Sequence, residues 1–343
     1  MKRKNCSSIL FAVVLLALAF AAQPADAQLI PNLGGQRAGI SALPFLKIGA
    51  GSRGTAMGES FTAVANDASA LYWNPAGLVQ FSDNQVYLGF TWYVVDIDLP
   101  YLGVVYHLSP NDAVGLSMTS LRTEDMEITT ETQPFGTGQY ASFGDIAFGL
   151  SYSRKMTDQF SFGVTTRYVE ETLDILKMRG LLFDLGTYYW TGIGSSRFAV
   201  VVTNFGADVS PSGEVHELGG ATVSSFQSFS PPTQFKLGFA FEPMQTDDQR
   251  ITTSVELNHP NDNAENVHLG VEYEWKKMIT FRLGTKRTIG ERLLGEDNSS
   301  SADFSAGFGV AAPINQKDIL FDYSYQNYNK LGAVHRISLG IPF

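Results

Sequence analysis

After Asn84 the hydrophobic positions of the chain recur with a period of two. Val267, Leu269, Val271, Tyr273 and Trp275 alternate with His268, Gly270, Glu272 and Glu274. Phe235, Leu237, Phe239 and Phe241 alternate with Lys236, Gly238, Ala240 and Glu242. Ile279, Phe281 and Leu283 alternate with Thr280, Arg282 and Gly284. A β-strand sends successive side chains to opposite faces, so each segment carries one apolar face and one polar or small face. The pattern predicts strands near 84–95, 97–108, 113–122, 141–155, 158–169, 180–190, 196–205, 233–242, 249–258, 265–275, 278–287, 303–312, 318–328 and 334–343. That is about fourteen, and an even number suits a bacterial barrel.

Two features favour a membrane barrel over a soluble sandwich. The segments have the roughly ten-residue length that a tilted strand needs to cross a bilayer. Tyr87, Trp92, Tyr93, Tyr188, Tyr189, Trp190, Trp275, Tyr325 and Tyr328 cluster near segment ends, as an interfacial aromatic girdle requires. The links alternate in length. Short ones fall at Ser109–Asp112, Met156–Thr157, Thr191–Ser195, Pro243–Asp248, Lys276–Lys277 and Pro313–Lys317. Longer ones fall at Arg122–Tyr140, Val169–Arg179, Gly206–Pro232, Asn258–Ala264 and Thr288–Ala302. Short inner turns and long outer loops are the barrel asymmetry. The β-rich run Met126 to Gln133 is expected in an outer hairpin, apart from the wall.

The ends of the chain place it. Lys2, Arg3 and Lys4 precede an uncharged apolar run from Ile9 to Ala22, and Ala25-Asp26-Ala27 follows. This reads as a signal peptide over residues 1–27, too short to span a membrane, with cleavage leaving Gln28 first. Cys6 leaves with it, so the mature chain has no thiol or Cys metal site. Loss of Lys2, Arg3, Lys4 and Asp26 takes the formal charge from −10 to −12. Such an acidic chain is a poor nucleic-acid binder. Aromatics reach 12% and charged residues only 17%, yet no later run is long enough for a membrane helix. A closed barrel is then the remaining way to satisfy the backbone in lipid. At the other end Ile337, Leu339, Ile341 and Phe343 share one face, and Phe343 closes the chain. That is the pattern expected of a carboxy-terminal signal for the barrel-assembly machinery.

Residues 28–80 read as an extension and hatch, and residues 81–343 as the barrel. The stretch from Phe45 to Glu59 is rich in small residues, including Gly49, Gly51, Arg53, Gly54, Met57 and Gly58. Asn66 or Asp67 can cap a short helix that ends in the turn Asn74-Pro75-Ala76-Gly77. Gly49, Gly51 and Gly54 match a dinucleotide fingerprint in spacing, but no βαβ unit surrounds them, so tight packing is the reading. Arg167, Arg282 and Lys236 share the lumenal face with Glu256, Glu272 and Glu274, which suits ion pairs around a hatch.

No enzymatic chemistry is signalled. His107, His216, His259, His268 and His335 form no HExxH pair, and no G-x-S-x-G elbow occurs. No cofactor and no metal are expected. Glu124, Asp125, Glu127 and Glu131 crowd one outer loop, and Asp247-Asp248, Asn261-Asp262-Asn263 and Glu296-Asp297 mark other loops; they read as solvated charge, with cation or lipopolysaccharide-bridging contact as the alternative.

The stretch Phe45 to Leu78 looks like the amino-terminal hatch of FadL-like barrels and resembles the PorV/PorQ family more closely. Thr129-Thr130-Glu131 with Phe135-Gly136-Thr137-Gly138, Asp184 to Tyr189, and Thr203-Asn204-Phe205-Gly206 extend the likeness. The resemblance implies an all-β, fourteen-stranded transmembrane antiparallel barrel with a lumenal hatch, in the outer membrane. It implies a part in type IX protein secretion, with secretion components and the carboxy-terminal domains of cargo as partners. The alternative is a FadL-like channel with a hydrophobic ligand. Outer-membrane lipid and lipopolysaccharide are expected neighbours in either case.

Overall fold

The computed structural model describes residues 39–216, 222–289, 303–314 and 317–343. The proposed signal peptide and the first mature residue lie outside them. Fourteen strands form one closed antiparallel barrel. They are β1 (Gln85–Trp92), β2 (Asp98–Ser109), β3 (Asp112–Arg122), β4 (Phe143–Lys155) and β5 (Phe160–Leu173). Next come β6 (Leu176–Trp190), β7 (Arg197–Gly206), β8 (Gln234–Gln245), β9 (Gln249–Pro260) and β10 (Asn266–Trp275). The last are β11 (Ile279–Thr288), β12 (Asp303–Ile314), β13 (Lys317–Asn327) and β14 (Ala333–Pro342). Each strand pairs with its neighbour in the chain, and β1 closes on β14 with Gln85 opposite Pro342 and Trp92 opposite His335.

The two-residue period decides what each face carries. Leu116, Phe148, Leu150, Leu181, Phe235, Phe281 and Leu283 point outward and are exposed. The alternate positions are buried and mostly polar or small, including Ser151, Thr165, Ser254, Glu272 and Arg282. An apolar outside and a polar inside is the pattern of a wall that meets lipid. No helix among the described residues is long and apolar enough to cross a membrane.

Two links differ from the sequence expectation. The Val169–Arg179 loop is instead the tip of a long hairpin, since β5 and β6 pair as far as Leu173 and Leu176. Asp174 turns the chain with φ 54, a conformation that Asp tolerates better than most residues. Polar side chains at both levels, Glu170 with Lys177 and Arg179, hid this ladder from an apolar-periodicity reading. The Gly206–Pro232 link carries a small pair of its own, Val215–His216 with Thr222–Val223. Met126–Glu127 pairs with Tyr140–Ala141 in a separate two-stranded sheet, outside the wall.

Candidate functional site: the filled lumen

Residues 42–80 run inside the barrel. The short helix α1 (Ser52–Ala56) packs against β11 to β14, and the 3-10 turn Pro75–Val79 packs against β3 to β6, on a different arc of the wall. A second short helix, α2 (Ala70–Trp73), lies between them. Phe61, Met57, Leu71, Trp73 and Leu78 form the centre of a buried apolar cluster with Tyr87, Tyr101 and Val105 of the wall.

Arg53 is the hub of the polar contacts. Its Nε and Nη2 donate to both carboxylate oxygens of Glu272 at 2.8 Å. Its Nη1 donates to Asn66 at 2.6 Å and to Asp67 at 2.7 Å. Glu272 also accepts from Arg282 Nε at 2.7 Å, and Arg282 Nη1 reaches Asp322 at 2.5 Å. The bidentate fork uses the geometry that distinguishes Arg from Lys. Arg53 also stands 5.2 Å over the Phe61 ring. A parallel set lies on the far arc, where Arg167 pairs with Asp184 and Arg197 pairs with Glu242 at 2.7 Å. Asp184 also accepts from the Asn204 backbone N–H at 2.7 Å. Asn204 has φ 57 and the β6–β7 register shifts there, so the two residues make a bulge.

Glu59 of the same segment has its own partner, Lys286 of β11. Burial pushes its carboxyl up, but Lys286 at 3.1 Å, with His268, Lys236 and Arg336 around it, outweighs burial and holds it at about 2.

The sequence-marked residues fall into two classes. Arg53, Asn66, Asp67 and Asn74 make polar contacts. Asn74 accepts from the Ala76 N–H at 3.0 Å and donates to the Thr62 carbonyl at 2.9 Å and the Thr187 carbonyl at 3.1 Å. Asp67 accepts from the Ser69 N–H at 2.9 Å, and Ser69 stands at the helix N-cap position. Gly49, Gly51, Gly54, Met57, Gly58, Pro75, Ala76 and Gly77 serve packing. Gly58 has φ +66, and Gly284 of β11 lies so close that a Cβ there would stand 2.0 Å from the Gly58 nitrogen. A Cβ on Gly163 of β5 would stand 2.3 Å from the Pro75 carbonyl carbon. These wall glycines let the backbone of the segment approach the backbone of the strands. Ile337, Leu339 and Ile341 line the outer face of β14, and Phe343 follows it.

Some contributors carried no motif. Asp322 completes the ion-pair chain from a strand that reads as ordinary wall. Lys47 reaches buried Asp262 at 2.6 Å, and the Ala42 N–H donates to the Ser230 carbonyl at 3.0 Å. These contacts fasten the start of the segment to loops at the end of the barrel opposite the short turns. Pro100 in β2 was also missed, although a proline inside an alternating run is a signal that could have marked it. The β2–β3 ladder pairs Asp98 with Arg122 and Tyr101 with Thr119 and leaves Leu99 and Pro100 unpaired. Proline has no N–H to give the ladder. Beside this break an apolar groove of about 510 Å³ is lined by Leu88, Phe90, Pro100, Leu102, Met118 and Ile337.

Residues 33–261 match the family described as "Type IX secretion system protein PorV". The chain belongs to the PorV family. No curated protein matches it in sequence. The solved structures that share its fold include the three that follow. The CymD monoaromatic hydrocarbon channel aligns at TM-score 0.61 with 15% identity, covering 86% of this chain and 98% of that one. The P. putida toluene transporter TodX aligns at 0.59 with 13% identity, over 86% and 99%. The Ralstonia pickettii toluene transporter TbuX aligns at 0.57 with 13% identity, over 85% and 98%. These identities establish the FadL-like architecture only. Fold and family are those of outer-membrane barrels.

Proposed function

We propose that this PorV-family barrel is an outer-membrane accessory of type IX secretion that holds secreted cargo at the cell surface. The observation that carries the reading is the family match over residues 33–261, which takes in the whole lumenal segment. The filled lumen agrees with it. A barrel occupied by residues 42–80 and tied by buried ion pairs offers its outer loops to a partner more readily than it offers a passage. In this reading the Gly49–Gly58 and Asn66–Gly77 stretches are the hatch. Ile337, Leu339, Ile341 and Phe343 address the chain to the assembly machinery, and the exposed outer wall meets lipid and lipopolysaccharide. Deletion of the gene is expected to abolish surface retention of secreted cargo, and the purified barrel is expected to carry secretion components or cargo with it. Unchanged secretion in the deletion strain defeats the proposal.

The break at Pro100 and its apolar groove favour a second reading, passage of a hydrophobic small molecule sideways through the wall. Vesicles reconstituted with the protein would then take up toluene faster than empty vesicles. Pro100→Thr, which can restore the ladder bond, would slow them.

A further inference from the structure

Asp145 of β4 and Glu171 of β5 stand directly opposite each other in register. Both side chains are buried, at 3% and 8% exposure. Both carboxylate oxygens of Asp145 and Oε2 of Glu171 have no hydrogen-bond partner among the described residues. Paired positions on neighbouring strands hold their Cβ atoms about 5 Å apart, so the two carboxylates face each other at contact range. The charged group acting on Asp145 is Glu171 itself. Their cross-strand neighbours on the other sides are Leu121 and Met178. The Leu43 backbone N–H faces Glu171.

This is unlike the rest of the lumen. Asp67, Asp184, Asp262, Glu272 and Asp322 each meet a Lys or Arg. Glu59 meets Lys286, and Glu265 meets His259. Glu256 accepts from the Phe61 and Thr62 N–H groups and the Thr62 hydroxyl. A buried carboxylate without such a partner is costly, and two side by side are costlier. Among the described residues the chain supplies such compensation at every other buried carboxylate, and here it offers only the Leu43 N–H.

Position tells what can reach the pair. On the outer face at the same level stand Arg122, Glu170 and Arg179, with Glu170 and Arg179 paired at 2.7 Å. Charges on that face place this band beyond the hydrocarbon. A polar groove of about 530 Å³, lined by Ser120, Arg122, Glu124, Asp125, Glu170 and Thr172, opens on that outer face, and Asp145 borders it without exposing its carboxylate oxygens. The pair therefore lies at the rim, at the level of the outer medium rather than at bilayer depth.

We propose that Asp145 and Glu171 bind a divalent cation of the calcium type that clamps β4 to β5 beneath Leu43. Two carboxylates offer up to four hard oxygen ligands, which is what calcium takes, with water filling the remaining positions. No third Asp, Glu, His or Cys joins them among the described residues, which sets the site apart from an all-protein cage.

The test uses the full mature barrel in detergent, stripped with EDTA and titrated with calcium chloride. Bound calcium is counted by elemental analysis, and heat unfolding is followed in parallel. The wild type is expected to retain one equivalent and to melt several degrees higher with calcium than with EDTA. Asp145→Asn with Glu171→Gln removes both charges and keeps both shapes, so it is expected to fold while losing the equivalent and the shift. Glu274→Gln, near the short-turn end, is expected to keep both. A wild type that retains no calcium overturns the proposal. So does a double variant that retains as much as the wild type. Stabilisation of the wild type by acid with no bound ion also overturns it, because a shared proton then does the work.

Discussion

The two ends of the lumen are closed by different physics. Toward the short turns, the segment is fastened by charge, with Arg53 forked onto Glu272 and Glu272 linked through Arg282 to Asp322. At the opposite end Leu43, Phe45 and Leu46 pack into Leu99, Leu121, Val169 and Leu182. Among the described residues one ion pair, Lys47 with Asp262, pins that cap to a loop. Charge networks are directional and fail as a unit, since removing one member strands the others in a dry place. Apolar packing is graded, and each lost methyl group removes a share. The segment is thus locked at one end and cushioned at the other.

Arg53→Ala tests the lock and is expected to have the largest effect. It leaves Glu272 and Asp67 without their main partner and should cost about 3–5 kcal/mol of stability, read by denaturant unfolding in detergent. Arg53→Met combined with Glu272→Gln should cost clearly less than the two single changes added together. Additive losses would mean that the pair is not coupled.

Leu46→Ala tests the cushion. A void among Leu99, Leu121 and Leu182 should cost about 2–5 kcal/mol. It should leave the Arg53 end protected in hydrogen exchange while the Ala42–Ile48 amides exchange faster. Equal loss of protection at both ends would dissolve the distinction drawn here.

Gly163→Ala probes the middle. Its new Cβ would meet the Pro75 backbone, which has no flexible end to move aside. Overpacking of this kind costs about 1–3 kcal/mol. Cysteine pairs across the Asn74 turn and the wall would report the displacement.

Acid should give the smallest effect and acts on the charged contacts. Glu59 titrates at about 2 in the folded barrel against an ordinary 4.5. Its contribution is therefore complete above about 4.5 and is lost as pH falls toward 2. Glu59→Gln should flatten the stability profile in that window and lower its plateau near neutrality, where the charged contact with Lys286 contributes in full.

The legible parts of the molecule are those governed by local periodicity. Alternation located all fourteen strands, because the lipid face and the lumenal face impose opposite demands on neighbouring residues. It failed at the tip of β5 and β6. There the wall rises out of the bilayer, and its outer face carries Glu170, Lys177 and Arg179 in place of apolar side chains. Of the lumenal contacts, Arg53, Asn66 and Asp67 could be singled out as polar residues in a small-residue stretch. Their partners could not. Glu272 was legible only as lumenal, and Asp322 carried no mark at all. Asp145 and Glu171 were likewise hidden, since each is an ordinary inward position within its own strand.

From its sequence alone the chain is determined to be a strand-built wall with an apolar outside, a polar inside and a glycine-rich segment ahead of it. Those properties follow from which residues sit one, two or three places apart. Which charge meets which was decided only when the sheet closed. The ring brings β10, β11 and β13 around Arg53, and β4 beside β5 at the rim. Ion pairs and facing carboxylates depend on separations of a few ångströms between residues far apart in the chain, and only the register of the closed barrel sets those distances.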